Sequence, residues 1–208
     1  MIGEYAANIL LGYLFGSVPT GLVVGYLWMR KDIRTVGSGK TGTTNVLRTA
    51  GKFAAGIVLL VDVSKGAVPA LLGRYVFDDS GVAAAGAAAA IVGHVWPVFA
   101  GFRGGRGVAS AFGGVLGLAP LISLVFPVVA LLLVASTRYV SFMSVVGTPI
   151  AAAIVVVIAL TGHLPAAFAL YAVFAVLLVE YTHIPNIRRL LSGTEPRIGQ
   201  GGDRPATG

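Results

Sequence analysis

The chain contains no cysteine, which excludes disulfides and thiolate metal ligands. Charge is the next scarcity: only 11% of the 208 residues are Asp, Glu, Lys or Arg, against about 25% in an ordinary soluble domain. Carboxylates number 8 and histidines 3, too few and too scattered for a dedicated metal cage. No metal and no cofactor are expected. What is abundant is apolar surface, with 56% hydrophobic residues and a mean hydropathy of +0.88. This composition predicts an all-α integral membrane protein. The formal net charge is +7, yet the cations are not interleaved with aromatics as on a nucleic-acid face; they gather between apolar stretches. No nucleic-acid partner is expected. Neither half of the chain repeats the other. No basic segment precedes the first apolar run, so that run reads as a retained span and not a cleaved leader.

A membrane helix needs about 20 apolar residues. Candidate spans are Tyr5–Met29, interrupted by Gly16-Ser17-Val18-Pro19-Thr20-Gly21, then Phe53–Tyr75, Val82–Ala100, Val108–Ala119, Leu121–Ala135, Val140–Leu160 and Pro165–Tyr181. Val108–Ala119 is short, and it counts as a separate crossing on charge grounds. Cytoplasmic loops collect Lys and Arg. The first polar loop, residues 30–52, holds Arg30, Lys31, Arg34, Lys40, Arg48 and Lys52. Seven crossings place that loop, Arg103, Arg106, Arg138, Arg188 and Arg189 on the inner side, and Glu4, Asp78 and Asp79 outside. The expected architecture is therefore seven transmembrane helices, N-terminus outside and C-terminus cytoplasmic. Residues 1–195 form one membrane-embedded domain, and 196–208 form a polar, flexible cytoplasmic tail.

The richest stretch is Gly37-Ser38-Gly39-Lys40-Thr41-Gly42-Thr43-Thr44-Asn45, with Arg48 following. Glycines permit turns whose successive N–H groups face an anion. Lys40 and Arg48 add charge, and the hydroxyls and Asn45 add hydrogen bonds. A phosphate cradle and a plain flexible loop both fit. A nucleotide P-loop does not, because its first glycine falls on Arg34 and no strand precedes it. A second glycine-rich turn, Gly104-Gly105-Arg106-Gly107, carries another cation suited to phosphate. Asp62 and Lys65 lie three residues apart within a span, on one helical face. Either they pair with each other to pack helices, or Asp62 orients Lys65 toward a polar site. His183 and Asn186 flank Pro185, which is expected to end the last helix and aim both side chains at one point. Ser141 and Ser144 open the sixth span on the same inner face. His94 reads as structural, orienting the loop after it, and His163 as a turn residue.

Taken in order, these segments resemble the bacterial acyl-phosphate-dependent glycerol-3-phosphate acyltransferases. The first motif is Gly16 to Gly21, Asp32-Ile33-Arg34, Gly37-Ser38-Gly39, Gly42, Thr44-Asn45 and Arg48. The second is Gly93-His94, Pro97, Phe99, Phe102 and Gly104 to Ser110. The third is His183, Asn186-Ile187, Arg189-Leu190 and Gly193-Thr194-Glu195; Asp62 to Gly66 also matches. Lys40, Thr43 and Arg106 depart from the family's usual asparagine, alanine and lysine. The resemblance implies transfer of a fatty acyl chain from acyl phosphate to the 1-hydroxyl of glycerol 3-phosphate, giving lysophosphatidic acid and phosphate. It implies Ser38, His183 and Asn186 at the reaction centre. The substrate contacts it implies, joined to those read above, are Gly37, Gly39, Lys40, Thr41, Gly42, Thr44, Asn45, Arg48, Lys65, Gly104, Gly105, Arg106, Ser141 and Ser144. It further implies a bacterial plasma membrane setting, an active site facing the cytoplasm, supply by an acyl-phosphate-producing enzyme, and a functional monomer. A transporter of phosphate or an organophosphate is the competing expectation, since cation-lined broken helices would serve it too.

Overall fold

The computed structural model describes residues 1–200. Among these the chain is helical, with no β-strand. Its helices are α1 (Ile2–Gly16), α2 (Thr20–Met29), α3 (Thr43–Tyr75), α4 (Ser80–Val95), α5 (Val108–Leu118), α6 (Pro120–Ser123), α7 (Val125–Thr137), α8 (Val140–Leu160) and α9 (Ala166–Leu191). Six helical stretches are long and apolar enough to cross a membrane: Ile2–Met29, Thr43–Tyr75, Ser80–Ala100, Pro120–Thr137, Val140–Leu160 and Ala166–Leu191. The seventh expected span, α5, has 11 residues and rises only about 16 Å at 1.5 Å per residue.

Two expected boundaries move. The second span begins ten residues before the expected Phe53, because α3 starts at Thr43 and absorbs the end of the first polar loop. An extended kink at Gly51 (φ 87°, ψ 179°) separates its polar first part from its apolar body. The last helix does not end at Pro185; α9 runs on to Leu191. A helical proline forfeits one backbone hydrogen bond, and here exposed Pro185 is carried by the turns around it. His183 and Asn186 thus lie one helical turn apart, not across a break. The expected tail starts packed: Ile198 N donates to the Arg138 carbonyl and Arg197 Nε to the Tyr139 hydroxyl. Its remainder, 201–208, lies outside the described residues.

The centre of the bundle is α4, whose Ala83, Ala87, Ala90 and Ile91 are wholly buried. Between membrane helices there is little hydrophobic drive, so association rests on close packing and interhelical hydrogen bonds. Small residues permit that approach. Gly12 and Gly16 of α1 lie against the backbone carbonyls of Gly86 and Ala90 in α4. Gly66 of α3 and Gly113 of α5 lie against the carbonyls of Ser110 and Val63. Buried polar side chains lock these seams. Asn8 Nδ2 donates to the carbonyls of Pro69 (3.1 Å) and Val82 (2.8 Å), joining α1 to α3 and α4. The Tyr171 hydroxyl donates to Ala111 O at 2.9 Å, joining α9 to α5. Arg74 Nη1 caps the end of α5 through the carbonyls of Gly117 and Leu118.

The α3–α5 seam carries the first prediction. A methyl group at Gly66 or Gly113 would meet backbone, which cannot rotate away. Gly66→Ala and Gly113→Ala should each destabilise the protein by about 1–3 kcal/mol. Gly56→Ala, with open space at its Cβ, should be neutral or gain up to about 1 kcal/mol from helix propensity. Thermal melting in detergent checks this; equal melting of all three variants would disprove the seam.

Candidate active site

The two glycine-rich turns come together at one end of the bundle. Asn45, on the first turn of α3, organises the first. Its Oδ1 accepts from Ser38 N (2.9 Å), and its Nδ2 reaches the carbonyls of Ile33 (3.0 Å), Val36 (3.1 Å) and Lys40 (2.9 Å). Gly37 packs directly on the Asn45 amide and has φ +59°. Asp32 pairs with Arg34, whose Nη1 donates to Ala100 O at 3.0 Å, tying the first turn to the approach of the second.

The second turn rests on the end of α4. Gly104 N and Gly105 N donate to the carbonyls of Val95 and His94. Gly105 lies against His94 Nε2, so no side chain fits there. From the other side, Thr182 of α9 donates to Arg106 O at 2.9 Å.

Between these turns and α8–α9 lies a cavity of about 940 Å³. Gly37, Ser38, Lys40, Gly42, Thr44, Asn45, Arg48, Arg106, Ser141, Ser144, His183 and Asn186 all line it. The start of α3, at Gly42–Asn45, and the start of α5, at Gly107–Ala109, both border it. Helix N-termini carry unpaired N–H groups and a partial positive charge, a ready anion site. Other expected site residues lie elsewhere. Gly39, Thr41, Gly104 and Gly105 sit behind the wall and shape the turns. Lys65 does not reach the cavity; it is 2% exposed and bound to Asp62 at 2.6 Å. Of its two readings, the mutual ion pair is the one observed, and it is Asp62 that borders the cavity.

The most telling feature is hydrogen bonding left undone. Buried polar atoms are nearly always paired. Seven buried side-chain atoms among the described residues have no partner. Five of them, Thr43 Oγ1, His94 Nδ1, Arg106 Nε, Ser141 Oγ and Asn186 Oδ1, belong to residues lining this one cavity, although His94 Nδ1 has Asp62 Oδ1 at 3.6 Å and Ser141 faces the Glu195 carboxylate. Burial, with the charges of Arg189 and Arg48 nearby, brings Arg106 down to about 10, against the pull of Glu195. Burial and Arg106 lower Lys40 likewise. These are cations held without enough counter-charge.

Sequence reasoning missed residues here. Glu195 had been only a motif position without a role. Its carboxylate accepts from Asn186 Nδ2 (2.7 Å) and Arg189 Nε (2.7 Å). Donation through Nδ2 leaves Asn186 Oδ1 as the free acceptor. His94 and Asp62 also border the cavity, with His94 Nδ1 3.6 Å from Asp62 Oδ1. Three residues of spacing hinted at Asp62–Lys65, but nothing in the sequence joins either to His94. His183 Nδ1 sits 2.8 Å from the Val179 carbonyl, which can only accept. The proton of a neutral ring is thereby assigned to Nδ1, leaving Nε2 bare.

Comparison with known proteins bears on this constellation directly. The family model described as glycerol-3-phosphate acyltransferase matches residues 6–193. The chain belongs to that family. Its relatives include the glycerol-3-phosphate acyltransferase of Rubrobacter xylanophilus, 43% identical over 92% of this chain and 94% of that protein. The Synechococcus sp. protein of the same name is 42% identical over 93% and 95%. Among solved structures, the integral membrane glycerol 3-phosphate acyltransferase PlsY in its glycerol 3-phosphate form is similar with a TM-score of 0.87. That match has 37% identity and covers 94% of this chain and 96% of that one. The lysophosphatidic acid form of PlsY matches with a TM-score of 0.83 at 35% identity, covering 93% and 94%. The family resemblance read from the motifs is thus established, and so is the likeness to an integral membrane fold.

Glu195 supplies a test of the site's frame. Burial pushes its carboxyl up, but hydrogen bonds from Ser141, Asn186 and Arg189, with the Arg189 charge, hold it below the usual carboxylate range. A lowered folded value means its contribution is full above free glutamate's value of about 4.3. That contribution is lost as pH falls through the lower folded value. Glu195→Gln should cost about 1.5–3 kcal/mol, the worth of a charge-assisted bond. It should also flatten the acid-side fall of the melting temperature. Unchanged melting at neutral pH would remove Glu195 from the frame.

Proposed function

We propose that this membrane acyltransferase uses acyl phosphate as donor and acylates the 1-hydroxyl of glycerol 3-phosphate, releasing lysophosphatidic acid and phosphate. The enzyme class follows from the family. The observation that carries the site assignment is the cluster of unpaired buried polar atoms, Thr43 Oγ1, Arg106 Nε and Asn186 Oδ1 foremost, around one cation-lined cavity. Such a cavity suits two phosphorylated substrates, whose anions meet Lys40, Arg48, Arg106, Arg189 and two helix N-termini.

In the proposed reaction Ser38 and the first turn hold the acyl phosphate, and Arg48 and Arg106 hold substrate phosphate. The bond from the acyl carbonyl carbon to phosphate breaks as the bond to the glycerol oxygen forms. The hydroxyl proton ends on the departing phosphate, directly or through His183 Nε2. Asn186 Oδ1 accepts from the attacking hydroxyl and fixes its approach. Backbone N–H groups at the turn are available to the carbonyl oxygen as negative charge develops there. Positioning does most of the work, since acyl phosphate is already activated. Apolar side chains on the same cavity, Leu47, Leu59, Val134 and Met143 among them, suit the acyl chain. The competing transporter reading finds no support among the relatives, which are acyltransferases.

Purified protein in detergent, given acyl phosphate and labelled glycerol 3-phosphate, should form labelled lysophosphatidic acid. His183→Gln and Asn186→Ala should each lower kcat by about 10²–10⁴, the range for a positioned acid–base group, with a smaller change in KM for glycerol 3-phosphate. Near-normal turnover in both folded variants would return them to a structural role.

For orientation we infer seven crossings of a bacterial plasma membrane, with the cavity facing the cytoplasm and the enzyme working as a monomer fed by an acyl-phosphate-producing enzyme. Both Arg106, before α5, and Ser141, after α7, border the cavity, so α5 and α6–α7 read as an outward and a return path. The cation distribution supports the inner side for this end. Cysteines introduced at Asp79 and Thr194 should be labelled from opposite sides of sealed vesicles. Labelling from one side would overturn the seven-crossing topology.

A further inference from the structure

The apolar wall of the large cavity includes two stacked rings. Phe112 of α5 and Phe126 of α7 have ring centroids 5.3 Å apart and planes inclined by 26°. Both border the large cavity. Both also border a second, smaller cavity of about 40 Å³ behind them. Its other walls are short apolar side chains, among them Ala111, Val115, Ala152, Ala172 and Val176. The hydroxyls that reach it are already occupied: Thr148 Oγ1 donates to Ser144 O at 2.7 Å, and Ser123 Oγ to Pro120 O at 2.6 Å. An apolar space of this kind stays dry, and it has room for about three water-sized groups. Nothing polar there needs a partner, so the space suits only hydrocarbon.

The two rings, with Val108, border both spaces and form the partition between them. The helix that carries Phe126 has no fully buried side chain, so the partition stands partly on a loosely anchored element. Phe112, by contrast, is fixed by α5, which packs along α3 and is capped by Arg74. Leu59 and Val134 share the wall of the large cavity with this pair.

We propose that the Phe112–Phe126 pair is the end stop for the acyl chain and sets the chain length this enzyme transfers, with the small cavity as latent space beyond it. The inference rests on the reading above, in which the acyl chain of the donor lies in the large cavity. Removing either ring joins the two spaces. Phe126→Ala and Phe112→Ala should move the optimum to acyl phosphates longer by about three carbons, one for each water-sized group of the small cavity. KM for glycerol 3-phosphate should stay within about twofold, because its phosphate is held at the other end. Refilling the small cavity in the Phe126→Ala background, with Ala152→Leu, should bring the optimum back.

The experiment is kcat/KM for purified protein across a graded series of saturated acyl phosphates. Phe126→Leu, which keeps most of the packing volume, serves if the alanine variants do not fold and should show a smaller shift in the same direction. An unchanged length profile in folded, active ring variants overturns the end stop while leaving the donor reading intact. If the wild-type protein turns over no acyl phosphate of any length, the donor reading falls and the end stop falls with it. A uniform loss of rate at every length, with no shift of optimum, also counts against the proposal, since a structural role alone would give that result.

Discussion

Several guanidinium groups share one partly dry space, and little else in the protein makes physical sense without that fact. Arg48, Arg106 and Arg189 border the same cavity, with Lys40 beside them. Like charges in a medium of low dielectric repel, and each loses hydration on burial. One carboxylate, Glu195, partly offsets them and is 7% exposed. The deficit that remains is what a phosphorylated substrate would relieve. A site built this way would gain affinity from charge that arrives with the ligand; until then its bordering carboxylates are Glu195 and Asp62, the latter already bound to Lys65. Arg106 being drawn down to about 10 is the trace of that deficit.

Holding such a site open requires rigid turns. The protein spends its polar side chains on its own backbone to obtain them. Asn45 uses its whole amide to bind the first turn. Arg34 uses its guanidinium on Asp32 and the Ala100 carbonyl. Lys65, buried inside the bundle, is spent on Asp62. Asn45 and Lys65 look from sequence like ligand-binding groups, and all three side chains serve as struts. The groups at the cavity left with nothing in the protein to bond are Asn186 Oδ1, Thr43 Oγ1 and Arg106 Nε.

Behind the polar end, the bundle depends on residues without side-chain bulk. Glycine and alanine along α1, α3, α4 and α5 bring backbones close enough for van der Waals contact to hold helices together in lipid. The outer helices α7 and α8 are less buried and strongly apolar. This division gives a firm half that carries the two glycine turns and a looser half beside the hydrocarbon wall. An enzyme joining a polar phosphate to a fatty chain needs both environments at once.

Much of this was legible in the residues alone. Low charge and long apolar runs determine a membrane bundle, because lipid leaves the backbone no partner but itself. The ordered motifs around Ser38, Arg106 and His183 determine the family, and the residues singled out from sequence include twelve that line the cavity. Helix boundaries were less legible. The sequence places a loop where α3 starts at Thr43 and a stop at Pro185, since local propensity is blind to a site that holds both turns in register. Only the tertiary structure decided that Lys65 faces Asp62, that His94 supports Gly105, and that Glu195 meets Asn186 and Arg189. Those contacts join segments far apart in the chain or choose between two rotations of one helix. Spacing along a chain carries no information about which side chains will be left without partners; that is settled by packing, and here it marks the site.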